Sequence, residues 1–187
     1  MSAFAKARFI MSAPSLSSFK GDAKPMVLMV GRSNVGKSTL INALLGQKIA
    51  FASKKAGKTK ALNFFFVDES FYLVDAPGYG TTDFATMSTV QFSTLMEETL
   101  PDPRLKVICL LIDMRVKPNP EDEKFYHYLQ RFKKPIVCVL TKMDKMNQSE
   151  RFAATKRAEE LGFTRALPSD LKPASVAKIA KAIEANI

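Results

Sequence analysis

Gly31-Arg32-Ser33-Asn34-Val35-Gly36-Lys37-Ser38 reads GxxxxGKS, and the residues on either side decide what that means. Met26–Val30 (MVLMV) is a short apolar run of strand type, and Lys37–Leu45 carries a helical pattern. A strand that ends in a glycine-rich turn and then opens a helix is the setting a P-loop needs. Glycine lets the backbone wrap an anion so that several N–H groups point at it. The helix N-terminus adds partial positive charge. In that frame Gly31, Arg32, Ser33, Asn34, Val35, Gly36, Lys37, Ser38 and Thr39 hold the phosphates. Lys37 reaches the β- and γ-phosphates, and Ser38 is a ligand for Mg²⁺. A chance glycine-rich turn accounts for neither flank.

Outward from the P-loop, short apolar runs alternate with helical patterns. Leu62–Val67 (LNFFFV) and Ser70–Val74 (SFYLV) flank Asp68–Glu69, which reads as a hairpin turn. Lys106–Ile112 (KVICLLI) and Pro135–Leu140 (PIVCVL) are continuous apolar runs of the buried parallel-strand type. Helices are expected over Thr86–Leu100, Glu121–Phe132, Glu150–Leu161 and Ser175–Asn186, with prolines at or near their ends. This alternation predicts an α/β P-loop NTPase fold, a mixed, mostly parallel sheet with helices on both faces. Residues 46–60 (GQKIAFASKKAGKTK) hold five lysines and no acid and read as a mobile loop.

Two further motifs lie at strand ends. Asp75-Ala76-Pro77-Gly78 is DxxG, 38 residues after Lys37. Asp75 suits Mg²⁺ through a water, and the Gly78 N–H suits a γ-phosphate. Thr141-Lys142-Met143-Asp144 is TKxD. The Asp144 carboxylate offers two acceptors to the N1–H and 2-amino donors of guanine, which adenine lacks, so this motif selects GTP. Lys142 is expected to pack its stem over the P-loop or the base. Either short motif alone is weak. Their order, each at a strand C-terminus, is the pattern of ligand binding at that edge of an open α/β sheet.

The chain of 187 residues is long enough to bury a core without a disulfide or metal staple. Its two cysteines, Cys109 and Cys138, sit in apolar runs and read as buried thiols of a reducing compartment. One histidine, His127, leaves little room for histidine catalysis and reads as structural. No apolar run reaches the length of a membrane span. Residues 1–67 hold eleven Lys/Arg against one acid, Asp22, so the net charge of +10 resides entirely there. That asymmetry points to a polyanionic partner. Residues 1–20 carry Lys6, Arg8 and Lys20 without an acid, somewhat as presequences do. We read them as a native extension that joins the domain of residues 21–187 through Phe9, Ile10 and Met11.

Taken together, these residues resemble the translation-factor-like GTPases, and most closely the EngB/YsxC family of small ribosome-assembly GTPases in the TrmE–Era–EngA–EngB–septin-like branch. The resemblance rests on GRSNVGKS, Gly57-Lys58-Thr59 before LNFFFV, DAPGYG (Asp75–Gly80), Asp113-Met114-Arg115, TKMDK (Thr141–Lys145) and RFIMSAPSL (Arg8–Leu16). It implies a monomeric cytoplasmic GTPase, cycling between GTP and GDP, that binds the large ribosomal subunit or its precursor rRNA. Ribosome biogenesis, septation and cell division come with it as expected processes. Residue by residue, it makes Thr59 the threonine that meets Mg²⁺ and the γ-phosphate, with Gly57 beside it. Asn34 matches a P-loop asparagine that helps bind an activating K⁺ in related GTPases. Ser169-Asp170-Leu171 falls at the guanine loop, joining Thr141, Lys142 and Asp144 around the base. Three departures stand out: Thr141 for the broader superfamily's Asn, Asp170 for a small residue, and Thr81-Thr82 after Gly80.

Tyr79 follows Gly78, where Ras-like enzymes place a water-orienting Gln. Slow intrinsic hydrolysis is therefore expected. Arg32 reads either as a cis arginine or as a solvated side chain. The lysines Lys48, Lys54, Lys55, Lys58 and Lys60 around Thr59 suggest a basic surface ordered by GTP, or else a solvated loop that only steers nucleotide. Two rival classes are a P-loop ATPase or kinase, against which TKMD and DAPGYG argue, and a membrane- or protein-associated switch, for which no lipidation signal is present.

Overall fold

The computed structural model describes residues 3–50, 61–80, 89–115, 120–163 and 165–187. Seven strands form one sheet in the order β1-β3-β4-β2-β5-β6-β7. These are β1 (Ala7–Ala13), β2 (Met26–Gly31), β3 (Leu62–Val67), β4 (Phe71–Asp75), β5 (Leu105–Asp113), β6 (Ile136–Thr141) and β7 (Leu167–Pro168). The helices are α1 (Lys37–Leu45), α2 (Thr89–Thr99), α3 (Pro120–Gln130), α4 (Gln148–Glu160) and α5 (Pro173–Glu184). β2 pairs in parallel with β4 and β5, and β5, β6 and β7 continue in parallel. β1 and β4 pair antiparallel with β3. The expected mixed, mostly parallel α/β sheet is what forms.

The apolar runs lack alternation because both faces of the sheet are covered. Along β2, Met26, Leu28 and Val30 pack with α2, α3 and α4, whereas Val27 and Met29 pack with α1 and α5. Val27 through Val30 are completely buried. Two-faced burial leaves no polar position on such a strand. The hairpin between β3 and β4 turns through Asp68 (φ 46°) and Glu69 (φ 54°), with the Ser70 N–H donating to Val67 O at 2.9 Å. Two consecutive left-handed residues match the right-handed twist of the flanking strands. Pro120 and Pro173 open α3 and α5, where a missing N–H costs nothing.

The N-terminal segment follows the expectation in part: Met11 packs against the core and the Phe9 ring meets that of Phe65 at 5.7 Å. It supplies the edge strand β1, but Phe9 and Ile10 are 49% and 37% exposed. A bulge in the register, with Phe9 opposite Phe65 and Met11 opposite Phe64, leaves Ile10 without a partner on β3. The anchors are Phe4, Ala13, Leu16 and Phe19, all buried. Phe19 stacks on Phe64 with centroids 3.8 Å apart, and Phe4 meets the edge of Phe71 at 5.3 Å. Asp68 accepts from the Lys6 N–H at 2.6 Å and the Ala5 N–H at 3.2 Å, which ties the segment to the hairpin.

These contacts set a stability test. Phe19→Ala should cost about 3–5 kcal/mol, the usual loss for a buried aromatic. Phe9→Ala should cost only on the order of 0.5–1 kcal/mol, because half of that ring already faces water. Urea unfolding of both variants checks this, and equal losses would contradict the assignment of anchors.

Candidate functional site

GxxxxGKS, DxxG, Asp113-Met114-Arg115 and TKxD lie at the C-terminal ends of β2, β4, β5 and β6, whereas RFIMSAPSL runs along the edge strand β1. β2 ends at Gly31 and α1 begins at Lys37, so residues 31–38 bridge strand and helix. The turn needs left-handed backbone at Asn34 (φ 63°) and Gly36 (φ 102°). Among the described residues, a Cβ placed on Gly36 would meet nothing within 4 Å, which leaves the loop open to them on that side. A Cβ on Gly31 would lie 3.0 Å from Leu111 O, so close packing against β5 requires glycine there.

Two residues of the TKxD motif hold the P-loop from outside. Thr141 is buried, and its hydroxyl donates to Val35 O at 2.7 Å, with Ile112 O at 3.2 Å. Lys142 takes a left-handed backbone (φ 59°), and its Nζ donates to Asn34 O at 2.6 Å. The same Nζ lies 2.9 Å from Asp113 Oδ2. Asp113 is in turn held by the Arg115 guanidinium, at 3.1 Å through Nε and 2.9 Å through Nη2. Burial raises the Asp113 carboxyl, but hydrogen bonds from Arg115 and Lys142 outweigh it and hold the group below its usual range. It stays a carboxylate and keeps Lys142 in place. Lys142 thus packs on the P-loop, as one of the two readings had it. Thr141 works through the P-loop carbonyl.

The base loop is built beside this brace. Asp144 lies in the single 3-10 turn Met143–Lys145 and is exposed, with Lys145 Nζ 3.1 Å from its Oδ2. The Met143 N–H donates to Ser169 O at 3.2 Å, and the Ser169 N–H donates to Leu140 O at 2.8 Å. Those bonds bring Ser169 and Asp170 next to the TKxD turn. Ser169 Oγ is buried and has no hydrogen-bond partner among the described residues. The Asp170 carboxylate turns away from the loop: it accepts from Ser175 Oγ at 2.7 Å and from the Lys172 N–H at 3.1 Å. Arg151 and Lys172 stand 3.7 and 3.8 Å from its other oxygen. The Ser175 bond chiefly lowers its pKa. The Asp170 charge is therefore engaged at the start of α5. Leu171 is left-handed (φ 62°) and partly exposed.

On the phosphate side, Lys37 Nζ is paired with Asp75 Oδ1. Asp75 is buried at the end of β4. Gly78 lies against the P-loop, where a Cβ would come within 2.8 Å of Ser33 Cα. Ser33 N–H donates to Tyr79 O at 2.9 Å. Arg32 is not simply solvated: its Nη1 is 4.0 Å from Asp122 Oδ2. Gly57, Thr59, Lys54, Lys55, Lys58, Lys60, Thr81 and Thr82 lie outside the described residues. Cys109 and Cys138 are buried free thiols, and burial pushes the Cys138 thiol up to about 12. Among the described residues no group of three or more His, Cys, Asp or Glu could hold a metal ion. None of their helices is long and apolar enough to cross a membrane.

Comparison with known proteins agrees with this geometry. Residues 26–142 match the family described as 50S ribosome-binding GTPase. A probable GTP-binding protein EngB of Solibacter usitatus is 38% identical over 97% of this chain and 96% of its own. The chain belongs to the EngB family of GTPases. A second EngB relative, from Thermotoga petrophila, is 41% identical over 73% of this chain and 69% of its own. A solved structure of a probable engB protein aligns with TM-score 0.65 at 21% identity, covering 87% of this chain and 98% of that one. An Era variant from Aquifex aeolicus bound to GDP and AlF4⁻ aligns with TM-score 0.67 at 28% identity, over 87% of this chain and 56% of that one. A Ras-like G domain is thus the fold of this EngB relative, and the ATPase or kinase alternative falls away.

Of the brace, the sequence offered the packing of Lys142 as one of two readings and Asp113-Met114-Arg115 as a matching tripeptide, but not the bond from Thr141 to the P-loop carbonyl. Its test is Thr141→Val. The change leaves the buried Val35 carbonyl unpaired and should cost about 1–3 kcal/mol of stability. Nucleotide affinity should fall for GTP and GDP together, with the preference over ATP intact. A loss of base preference in that variant would show that Thr141 acts on guanine instead.

Proposed function

We propose that this EngB-family GTPase is a GTP-controlled switch in large ribosomal subunit assembly. The observation that carries the nucleotide part is the brace: Lys142 on Asn34 O fixes the exposed Asp144 relative to the phosphate cradle. Guanine would be read by Asp144, with the loop Ser169-Asp170-Leu171 closing over the base. The unpartnered Ser169 Oγ is a buried polar atom placed in that loop, which supports a polar ligand there. Phosphates would lie on the N–H groups of residues 34–39 and on Lys37, with Gly57, Thr59 and Gly78 assigned to the γ-phosphate by the family resemblance.

Mg²⁺ fits the residues present. Ser38 and Asp75 are hard oxygen donors at the ends of the P-loop and β4, and the cradle is open at Gly36. Ser38 and Thr59 would hold the ion directly, and Asp75 through a water. The ion would neutralise charge on the phosphates. The Tyr79 hydroxyl is bound to Asp122 and the position carries no Gln to orient an attacking water, so hydrolysis is slow without help from a partner. K⁺ bound near Asn34 is the candidate for added positive charge.

The partner reading rests on charge and on relatives. The whole net charge lies in residues 1–67, which also contain the P-loop. Lys6, Arg8 and Lys20 are exposed on the N-terminal segment that frames the sheet edge. The matched family is described as ribosome-binding. We place the protein as a cytoplasmic monomer, residues 1–20 packed as an extension on the GTP-binding domain of residues 21–187, contacting rRNA in the GTP state. Roles in septation and cell division would follow from ribosome supply.

Three outcomes are expected. Asp144→Asn should weaken GTP at least about tenfold, since it alters charge-assisted hydrogen bonds worth ~1.5–3 kcal/mol each, and should improve xanthosine triphosphate. Unchanged GTP affinity would remove the base assignment. Turnover should be faster in KCl than in NaCl at equal ionic strength, and equal rates would leave Asn34 a structural residue. In sucrose gradients the protein should travel with large subunits when a non-hydrolysable GTP analogue is present and less so with GDP. Sedimentation that ignores the nucleotide would contradict the switch.

A further inference from the structure

Asp122 belongs to no nucleotide motif, yet it is a buried carboxylate at the first turn of α3. Glu121 and Glu123 share that turn and are less buried, so the helix dipole has its negative charges without burying a third. Burying a carboxylate is costly unless it is paired. Asp122 joins two parts of the site. Its Oδ1 accepts from the Tyr79 hydroxyl at 3.0 Å, and its Oδ2 faces Arg32 Nη1 at 4.0 Å. Burial and the Asp122 charge push the Tyr79 hydroxyl far above its usual range, so it remains a donor.

Tyr79 is held at both ends. Its ring lies 4.6 Å from that of Phe125 and 5.7 Å from that of Phe92. Its backbone bridges to Arg32: Tyr79 O accepts from the Ser33 N–H at 2.9 Å, and the Tyr79 N–H donates to Gly31 O at 3.3 Å. Gly78, immediately before it, is pressed against Ser33. The position of the Gly78 N–H thus depends on where Tyr79 is anchored.

We propose that Asp122 is a positioning residue that, through the Tyr79 hydroxyl, holds Gly78 on the P-loop in readiness for the γ-phosphate. The proposal rests on the reading of Gly78 as the γ-phosphate donor. GDP has no γ-phosphate, so it gains nothing from that preparation. GTP gains because the segment is already ordered when it binds. Position 79, which supplies no catalytic side chain, instead reports the place of α3 to the phosphate site. A merely structural contact would support both nucleotides alike.

The test compares affinities of the full-length protein, with Mg²⁺, for a fluorescent GDP and a fluorescent non-hydrolysable GTP analogue. Tyr79→Phe keeps the ring in its aromatic pocket and removes only the hydroxyl. Asp122→Ala removes the acceptor, and Asp122→Asn retains one. The analogue should bind about tenfold more weakly to Tyr79→Phe and to Asp122→Ala, the scale of one charge-assisted hydrogen bond, while GDP changes little. Asp122→Asn should recover most of the loss, and the double variant should be no worse than either single one. Parallel loss of both nucleotides, an unchanged ratio, additive losses or tighter analogue binding would each overturn the proposal. Tyr79→Phe and Asp122→Asn keep the test open should Asp122→Ala fail to fold. Lys37→Ala and Asp144→Asn run alongside: if they leave binding intact, the nucleotide site is misplaced, whereas if they abolish it and the Tyr79 ratio stays fixed, only the Asp122 assignment fails.

Discussion

A lysine ammonium that sits on a P-loop carbonyl holds the site together. Lys142 Nζ reaches Asn34 O at 2.6 Å and Asp113 Oδ2 at 2.9 Å, and Thr141 adds a bond to Val35 O. The TKxD loop, proposed to read the base, and the P-loop, proposed to hold the phosphates, meet across 108 residues of sequence. Without this contact each would be a surface turn on a separate strand end. With it, the two loops are tied together, so the distance between the proposed guanine and phosphate positions is set before ligand arrives. The parallel sheet makes this possible, because β2, β5 and β6 all end at the same edge.

Much of the fold was legible in the sequence because its central strands are buried on both faces, α1 lies between Gly36 and Gly46, and α3 and α5 open on prolines. The P-loop helix and the LNFFFV strand fall where the pattern put them. β1 was not legible as an anchor. Its exposed apolar residues, Phe9 and Ile10, attract the eye, while the burial is done by Phe4, Leu16 and Phe19 on either side of it. An edge strand is held largely by backbone pairing, which leaves little trace in side-chain periodicity. β7, two residues long, is too short to have a period at all.

The site shows the same division. Motifs named the residues that sit at the pocket, since their spacing follows from strand ends and helix starts. They did not reveal Asp122, and they named Asp113 and Arg115 only as a matching tripeptide, without the hold these two have on Lys142. Nor did they reveal that Asp170 is committed to Ser175 and the start of α5. Such partners are brought near only by tertiary packing. The DxxG side is held in the same way: Gly78 and Tyr79 lie against the P-loop, and α3 holds the far end of Tyr79.

The central claim is that one braced pocket reads guanine and phosphate together. It is tested most directly by displacing a fluorescent GDP from the wild-type protein with unlabelled GTP, GDP or ATP in the presence of Mg²⁺. The account predicts that GTP and GDP displace the probe at similar low concentrations and that ATP fails at concentrations far above them. Equal displacement by ATP would contradict it.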